Sequence, residues 1–135
     1  MKPKVTGIGG VFFKARDPDA LGAWYRQHLD FDVQAWGGAV FEWDRRDRPG
    51  ETGCTVWSPF KADTRYFEPS DKPYMLNLRV DDLDAVLASL RNAGVQVLAR
   101  GEDSEQGRFG YALDPEGTLL ELWQPAPPDP SPPKA

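Results

Sequence analysis

The fold is decided by residues 74 to 94, which read YMLNLRVDDLDAVLASLRNAG. Tyr74 to Val80 combines apolar side chains with period-two alternation, which predicts a strand. Asp82 then supplies a helix N-cap, and Ala93-Gly94 ends the helix. Between those ends, one helical face carries the apolar side chains Leu83, Val86, Leu87 and Leu90. The stretch is therefore predicted to be a strand followed by an amphipathic helix.

The same order occurs nearer the N-terminus. Residues 5–15 are rich in glycine and β-forming side chains, and Asp17-Pro18 gives an N-cap followed by proline at the first helical position. Asp82 lies 65 positions after Asp17, and Trp123 lies 66 positions after Trp57. This nearly constant offset indicates a duplicated unit. The first helix is predicted to have an apolar stripe made by Leu21, Trp24, Tyr25 and Leu29.

Three strands are predicted after each helix. In the first half, where Gly37-Gly38 turns a hairpin, they are residues 31–36, 39–43 and 53–58. In the second half, where the turn at 114–117 forms the final hairpin, they are residues 95–99, 108–113 and 118–123. The connection 59–73 carries Tyr66 and Phe67 without a clear period, and is interpreted as a loop that could cover a pocket.

These elements predict an α+β fold of two tandem βαβββ modules, at about residues 5–58 and 74–124. At 135 residues the chain is too short for two ordinary domains, so a single domain over residues 1–125 is expected. The tail 126–135 is rich in proline and poor in apolar bulk, and we expect it to be flexible.

Composition and charge exclude several classes of function. The net charge is −5 and there is no dense basic cluster, which disfavours nucleic-acid binding. No apolar run approaches the ~20 residues needed to cross a bilayer, and no secretory signal pattern follows Met1, so a soluble cytoplasmic protein is expected. Cys54 is the single cysteine, which rules out an intrachain disulfide and a thiolate-rich zinc site.

Four segments carry a resemblance to a known group of proteins: Gly9 to Lys14 with Asp17-Pro18, Trp24 to Leu29, Leu78 to Leu83, and Asp114 to Gly117 with Glu121-Leu122. In these segments the chain resembles the vicinal oxygen chelate superfamily, which includes glyoxalase I, extradiol dioxygenases and bleomycin-resistance proteins. The resemblance spans roughly residues 5 to 125. It implies that the strands curl into an open, cup-shaped mixed β-sheet barrel around a ligand. It also implies a homodimer, whereas the reaction stays open because the fold hosts unrelated chemistries.

Metal-dependent members of the superfamily use His or Glu from the first and last strand of each module. The resemblance assigns these positions to Gly10, Thr55, Met75 and Glu121. Glycine has no ligand atom, methionine is too soft for Mg²⁺ or Mn²⁺, and threonine is a poor ligand. We therefore expect neither a metal ion nor another cofactor.

Strand alternation predicts the lining of the cup, because side chains two apart share a face. The face that includes Gly10 and Glu121 supplies the candidate ligand-binding residues Phe12, Thr55, Trp57, Met75, Asn77 and Trp123. Aromatic walls with a few polar groups suit a flat or partly apolar small molecule. The same side chains could instead fill a closed barrel.

Glu121 is the candidate catalytic residue. A carboxylate in a partly apolar cup is costly unless it is paired, solvated or protonated, and Arg79 or Arg108 could pair with it. We favour pairing or ligand orientation over acid–base catalysis. His28, the single histidine, follows Trp24 by four positions on the first helix and is interpreted as structural or exposed.

Three functions compete on this evidence. The first is a small-molecule binding protein that works without a metal, similar to the sequestering resistance members of the superfamily. The second is a divergent lyase, isomerase or dioxygenase that uses Glu121, with any metal held by other groups. The third is a dimeric module with a closed, functionless cup. In all three, neither nucleic acid nor a membrane is an expected partner.

Overall fold

The computed structural model describes residues 3–127 and contains, within that range, one sheet of seven strands with two helices. The elements in chain order are β1 (Val5–Ala15), α1 (Pro18–Leu29), β2 (Ala39–Asp44), β3 (Thr52–Lys61), β4 (Tyr74–Val80), α2 (Leu83–Asn92), β5 (Val97–Ser104), β6 (Gly107–Leu113) and β7 (Leu119–Pro125). The predicted α+β class is confirmed, as an open sheet. Most of the predicted flexible tail lies outside the described residues.

The sheet has the order β2-β3-β1-β4-β7-β6-β5. Its two central strands, β1 and β4, run antiparallel and join the modules. Within the first module β1 pairs with β3 in parallel, and within the second β4 pairs with β7 in parallel. The internal repeat read from the sequence is therefore also a repeat of strand pairing.

Both helices begin at the predicted aspartate. A side-chain oxygen of Asp17 accepts a hydrogen bond from the Ala20 N–H at 3.0 Å. Asp82 does the same for the Ala85 N–H at 3.1 Å. Each bond satisfies a backbone donor that the first helical turn leaves without a partner, and such a cap stabilises a helix by about 1 kcal/mol.

The strand predicted at 31–36 is absent from the described structure, so the first module has one strand fewer than the second. Asp30 takes a left-handed conformation with φ of 55°, and the Phe31 N–H donates to the Tyr25 carbonyl. Local turn hydrogen bonds continue from there to Gly38. The Phe31 ring packs on Tyr25 and on Trp57 of β3, so the aromatic residues that predicted a strand instead attach this segment to α1.

The apolar stripe predicted for α1 is only partly correct. Tyr25 is half-buried with its ring centroid 4.7 Å from that of Trp57. Trp24 and Leu29, in contrast, are 50 % and 55 % exposed. α1 therefore rests on the sheet along a narrower strip than its sequence predicts.

α2 buries its predicted face more completely. Leu83 and Val86 form one core cluster with Val80 and Leu122 on the helix side of the sheet. A second cluster lies on the opposite side and consists of Phe67, Met75, Tyr111 and Leu119. The sheet thus has one face covered by helices and one face where aromatic side chains gather. Neither helix in residues 3–127 has the length and apolarity that a bilayer span requires.

Candidate functional site

A cavity of about 310 Å³ lies against the face of the sheet that carries no helices. Its walls are mainly aromatic and come from both modules and from the β3–β4 loop: Phe12, Trp36, Phe60, Tyr66, Phe109 and Trp123. The polar side chains in its lining are fewer: Ser58, Asn77, Glu102, Gln106 and Glu121. This size and composition match the lower end of pockets that enclose small organic molecules.

Two glycines of β1, Gly9 and Gly10, leave room for the side chains of Phe12, Asn77 and Trp123, which we call the floor of the cavity. A Cβ atom added to Gly9 would collide with Oδ1 of Asn77 and come within 3.0 Å of the Trp123 ring. One added to Gly10 would come within 2.6 Å of the Phe12 ring. Any larger residue at these two positions would displace the side chains that form the floor.

Glu121 is the centre of a buried polar network. Its Oε1 accepts a hydrogen bond from Nδ2 of Asn77 at 2.7 Å. Its Oε2 accepts from the hydroxyls of Tyr66 at 2.7 Å and Tyr111 at 2.6 Å. Asn77, Tyr111 and Glu121 are 2 %, 1 % and 3 % exposed. Three donors on a nearly solvent-free carboxylate replace much of the hydration that burial removes.

The two tyrosines remain protonated at neutral pH. Burial raises the pKa of the Tyr66 hydroxyl above its ordinary range, and the adjacent Glu121 carboxylate raises it further. The same two causes raise the pKa of Tyr111. Both hydroxyls therefore act as hydrogen-bond donors to Glu121 and are poor acids.

Arg100 packs against both tyrosines of this network. The Arg100 guanidinium lies 4.3 Å from the Tyr66 ring centroid and 4.0 Å from that of Tyr111. Its Nη1 also donates to the Tyr66 carbonyl at 2.8 Å. Tyr66 belongs to the loop between β3 and β4, so these contacts attach that loop to Arg100 of β5 and to Tyr111 of β6, while the Tyr66 side chain lines the cavity.

Four of the seven predicted site residues line the cavity: Phe12, Asn77, Glu121 and Trp123. Met75 shares their face but is completely buried in the aromatic cluster beneath the cavity. The prediction that it is accessible to a ligand is therefore wrong. Tyr111 and Leu119 pack with it there, which the alternation of a single strand does not reveal.

Thr55 and Trp57 point to the other side of the sheet. Thr55 donates to the Ile8 carbonyl and accepts from Nε1 of Trp43, and Trp57 packs on Tyr25 of α1. Gly10 pairs with Val56, so β3 lies one residue out of the predicted register. A shift of one residue exchanges the two faces of a strand, and the cavity is lined instead by Cys54, Val56 and Ser58.

Several lining residues were not predicted. Trp36 lies in the segment 31–36, which is predicted to be a strand but forms turns. Phe60 and Tyr66 lie in the connection predicted to be a loop, and in a loop strand alternation cannot tell which way a side chain points. Applying period two to β6 would have found Phe109 together with Tyr111. The loop prediction identified the right region, because residues 62–73 deliver Tyr66 to the cavity.

The predicted arginine partners of Glu121 have other contacts. Arg108 forms a double hydrogen bond with Asp84 at 3.1 and 2.8 Å on the surface, so pairing of Arg108 with Glu121 is wrong. Arg79 is buried with its guanidinium over the rings of Trp43 and Trp123, at 5.5 and 5.0 Å. His28 lies exposed on α1 against Trp24, remote from the cavity.

The side chains around Glu121 do not fit a divalent metal ion. Its immediate neighbours are two phenol hydroxyls and an amide N–H group, all of which donate hydrogen bonds into its oxygens. Among residues 3–127 no group of three His, Cys, Asp or Glu side chains is close enough to hold a metal. A cation there would have to displace those three donors from Glu121. Among these side chains it would then find carboxylate oxygens on Glu121 alone, which is fewer ligands than Mg²⁺ or Mn²⁺ requires.

The open sheet, its two parallel strand pairs β1–β3 and β4–β7, and the cavity on its free face define a protein of the vicinal oxygen chelate superfamily. A family model described as glyoxalase-like domain matches residues 10–123, and the chain belongs to that family. No curated protein sequence matches the chain significantly.

Solved structures with a similar fold include methylmalonyl-CoA epimerases. A variant of the Streptomyces coelicolor enzyme in complex with 2-nitronate-propionyl-CoA is 20 % identical, with a TM-score of 0.66 over 95 % of this chain and 100 % of the other. The epimerase from Mycobacterium tuberculosis is 24 % identical, with a TM-score of 0.58 over 91 % of this chain and 90 % of the other. At these identities the likeness establishes the fold alone.

Proposed function

We propose that this protein binds a flat, largely apolar aromatic molecule in the cavity, without a metal ion. The observation that carries this proposal is the lining: six aromatic side chains surround about 310 Å³, and few polar groups interrupt them. Aromatic walls bind flat molecules by burial of apolar area and by offset stacking or edge contacts between rings.

The state of Glu121 supports binding over catalysis. A general base needs a lone pair directed at the substrate proton, and three of the roughly four lone pairs of the Glu121 carboxylate already accept hydrogen bonds from protein groups, which makes it a weaker base. The raised pKa of Tyr66 and Tyr111 makes these hydroxyls poor proton donors as well. The network is therefore proposed to hold the floor of the cavity in shape and to orient a ligand.

Thermal unfolding with a panel of two-ring aromatic compounds tests the proposal. A compound at 100 times its dissociation constant should stabilise the fold by about 2.7 kcal/mol. Val56→Trp, which fills the cavity, should abolish this response. Phe41→Trp is the matched control, since Phe41 is 47 % exposed on the neighbouring strand β2.

The unfolding temperatures of both variants without ligand show whether each is folded. If Val56→Trp is unfolded, Ser58→Phe replaces it, because Ser58 also lines the cavity. The proposal fails if no compound stabilises the parent protein. It fails equally if a folded cavity-filled variant responds as the parent does.

A further inference from the structure

The charged side chains that line the cavity have one sign. Among the described residues they are Glu102 and Glu121, and no lysine, arginine or histidine lines it. Glu121 is buried and engaged by three donors. Glu102 also lines the cavity and is exposed to solvent, on β5 near the turn to β6.

Two guanidinium groups stack on aromatic rings that line the cavity or contact Glu121. Arg100 stacks on the rings of Tyr66 and Tyr111, and Arg79 stacks on the ring of Trp123. Neither guanidinium lines the cavity. A ligand inside would therefore lie against aromatic rings and near the Glu102 carboxylate, with the guanidinium groups beyond the rings of Tyr66 and Trp123.

Ring faces and carboxylates favour the same kind of ligand. The face of an aromatic ring carries partial negative charge and attracts a cation placed over it, and this argument applies to the lining rings of Phe12, Trp36, Phe60 and Phe109 rather than to Tyr66 and Trp123, which already carry a guanidinium. The Glu102 carboxylate attracts a cation as well, with the modest strength of an exposed charge that solvent and salt screen. An anionic ligand would meet repulsion from both.

Resting on the binding function proposed above, we infer that the ligand is an aromatic cation, with its rings in the cavity and an ammonium or similar group at Glu102. This selects against acidic aromatic compounds and against phosphate-bearing ligands. Glu102 is then a specificity-determining residue for the site.

Three probes with one ring system and different charges test the inference: naphthylmethylammonium, naphthalenemethanol and naphthoate. Calorimetric titration should give affinities that decrease in that order, with the ammonium binding at least about tenfold more tightly than the carboxylate. The preference should shrink as the salt concentration rises, because the interacting charge at Glu102 is exposed.

Glu102→Gln should weaken binding of the ammonium about threefold to fivefold and leave the alcohol unchanged. Glu105→Gln is the matched control. Glu105 is exposed in the same hairpin and does not line the cavity, and its substitution removes the same charge. An equal effect of the two substitutions would show that only the general field of the protein matters, and would overturn the inference.

The outcomes separate this inference from the binding function on which it rests. If all three probes bind with equal affinity, or if naphthoate binds most tightly, the cavity is a ligand site but not one for cations. If none of the three binds or raises the unfolding temperature, the binding function loses its support together with the inference.

Discussion

At the scale of single residues, the geometry around Glu121 depends on what each neighbour donates. Nδ2 of Asn77 must face the carboxylate, because the amide oxygen would be repelled there, and Oδ1 consequently faces Gly9. Removing Glu121 would take the acceptor from the buried Nδ2 of Asn77, at a cost of about 1–3 kcal/mol, while the Tyr66 and Tyr111 hydroxyls, 2.9 Å apart, could still bond to each other. The network is therefore as much a stability element as a part of the site.

The two buried tyrosines predict a loss of stability in alkali. In the unfolded chain a tyrosine hydroxyl ionises near pH 10, whereas in the folded chain the pKa of Tyr66 and Tyr111 is raised by burial and by Glu121. Below about pH 10 both states keep the proton and the full stability is present. Above it the free energy of unfolding should fall, by up to about 1.4 kcal/mol per pH unit for the buried Tyr111 and by less for the half-buried Tyr66.

Urea unfolding from about pH 9 to about pH 11 measures this slope. Tyr111→Phe should have a shallower slope than the parent, while Tyr74→Phe, at a residue that is 38 % exposed, should keep the parent slope. Identical slopes for all three proteins would contradict the assignment of the effect to the network.

At the scale of elements, α1 contains a glycine that its conformation does not require. Gly22 is buried in the helix, and a Cβ added there would meet Val33 at 3.4 Å, which is an ordinary contact. Because alanine loses less backbone entropy than glycine in a helix, Gly22→Ala should raise the free energy of unfolding by about 0.5–1 kcal/mol.

Chemical denaturation measures this gain, and Gly9→Ala provides the contrast. There the added Cβ would meet the Arg79 side chain at 2.9 Å and the Trp123 ring at 3.0 Å, so the substitution should destabilise by about 1–3 kcal/mol. A loss of stability in Gly22→Ala would show that the segment after α1 is packed more tightly against the helix than this contact indicates.

Strand β3 shows where prediction at the element scale ends. Its existence follows from its composition, and it was predicted at 53–58 against an observed Thr52–Lys61. The side of the sheet that each β3 residue faces, however, is predicted from the internal repeat with an offset of 66 residues. The matching residues of the two halves do not distinguish an offset of 65 from an offset of 66. Only the hydrogen-bonded partner of each residue, here Gly10 with Val56, decides which side chains enter the cavity.

At the scale of the whole molecule, the sheet ends in two edges, β2 and β5. Unpaired strand edges favour association, and superfamily resemblance adds to that expectation, so we propose a homodimer. Sedimentation equilibrium at micromolar concentration should give about twice the 15.1 kDa of the chain. A mass equal to one chain across that range would reject the dimer.

The amino-acid sequence by itself determined the α+β class, the duplicated order of elements, both helix caps, and Phe12, Asn77, Glu121 and Trp123 as lining residues. The class, the order of elements and the caps depend on local propensity and on periodicity, which neighbouring residues encode, whereas the choice of the lining face rests on what the superfamily resemblance implies. Tertiary structure alone decided the facing of β3, the burial of Met75, the turn that replaces the strand at 31–36, and the arrival of Tyr66 at Glu121. Those features depend on which distant segments pack together, and residues such as Tyr66 and Glu121, 55 positions apart, carry no local sign of their contact.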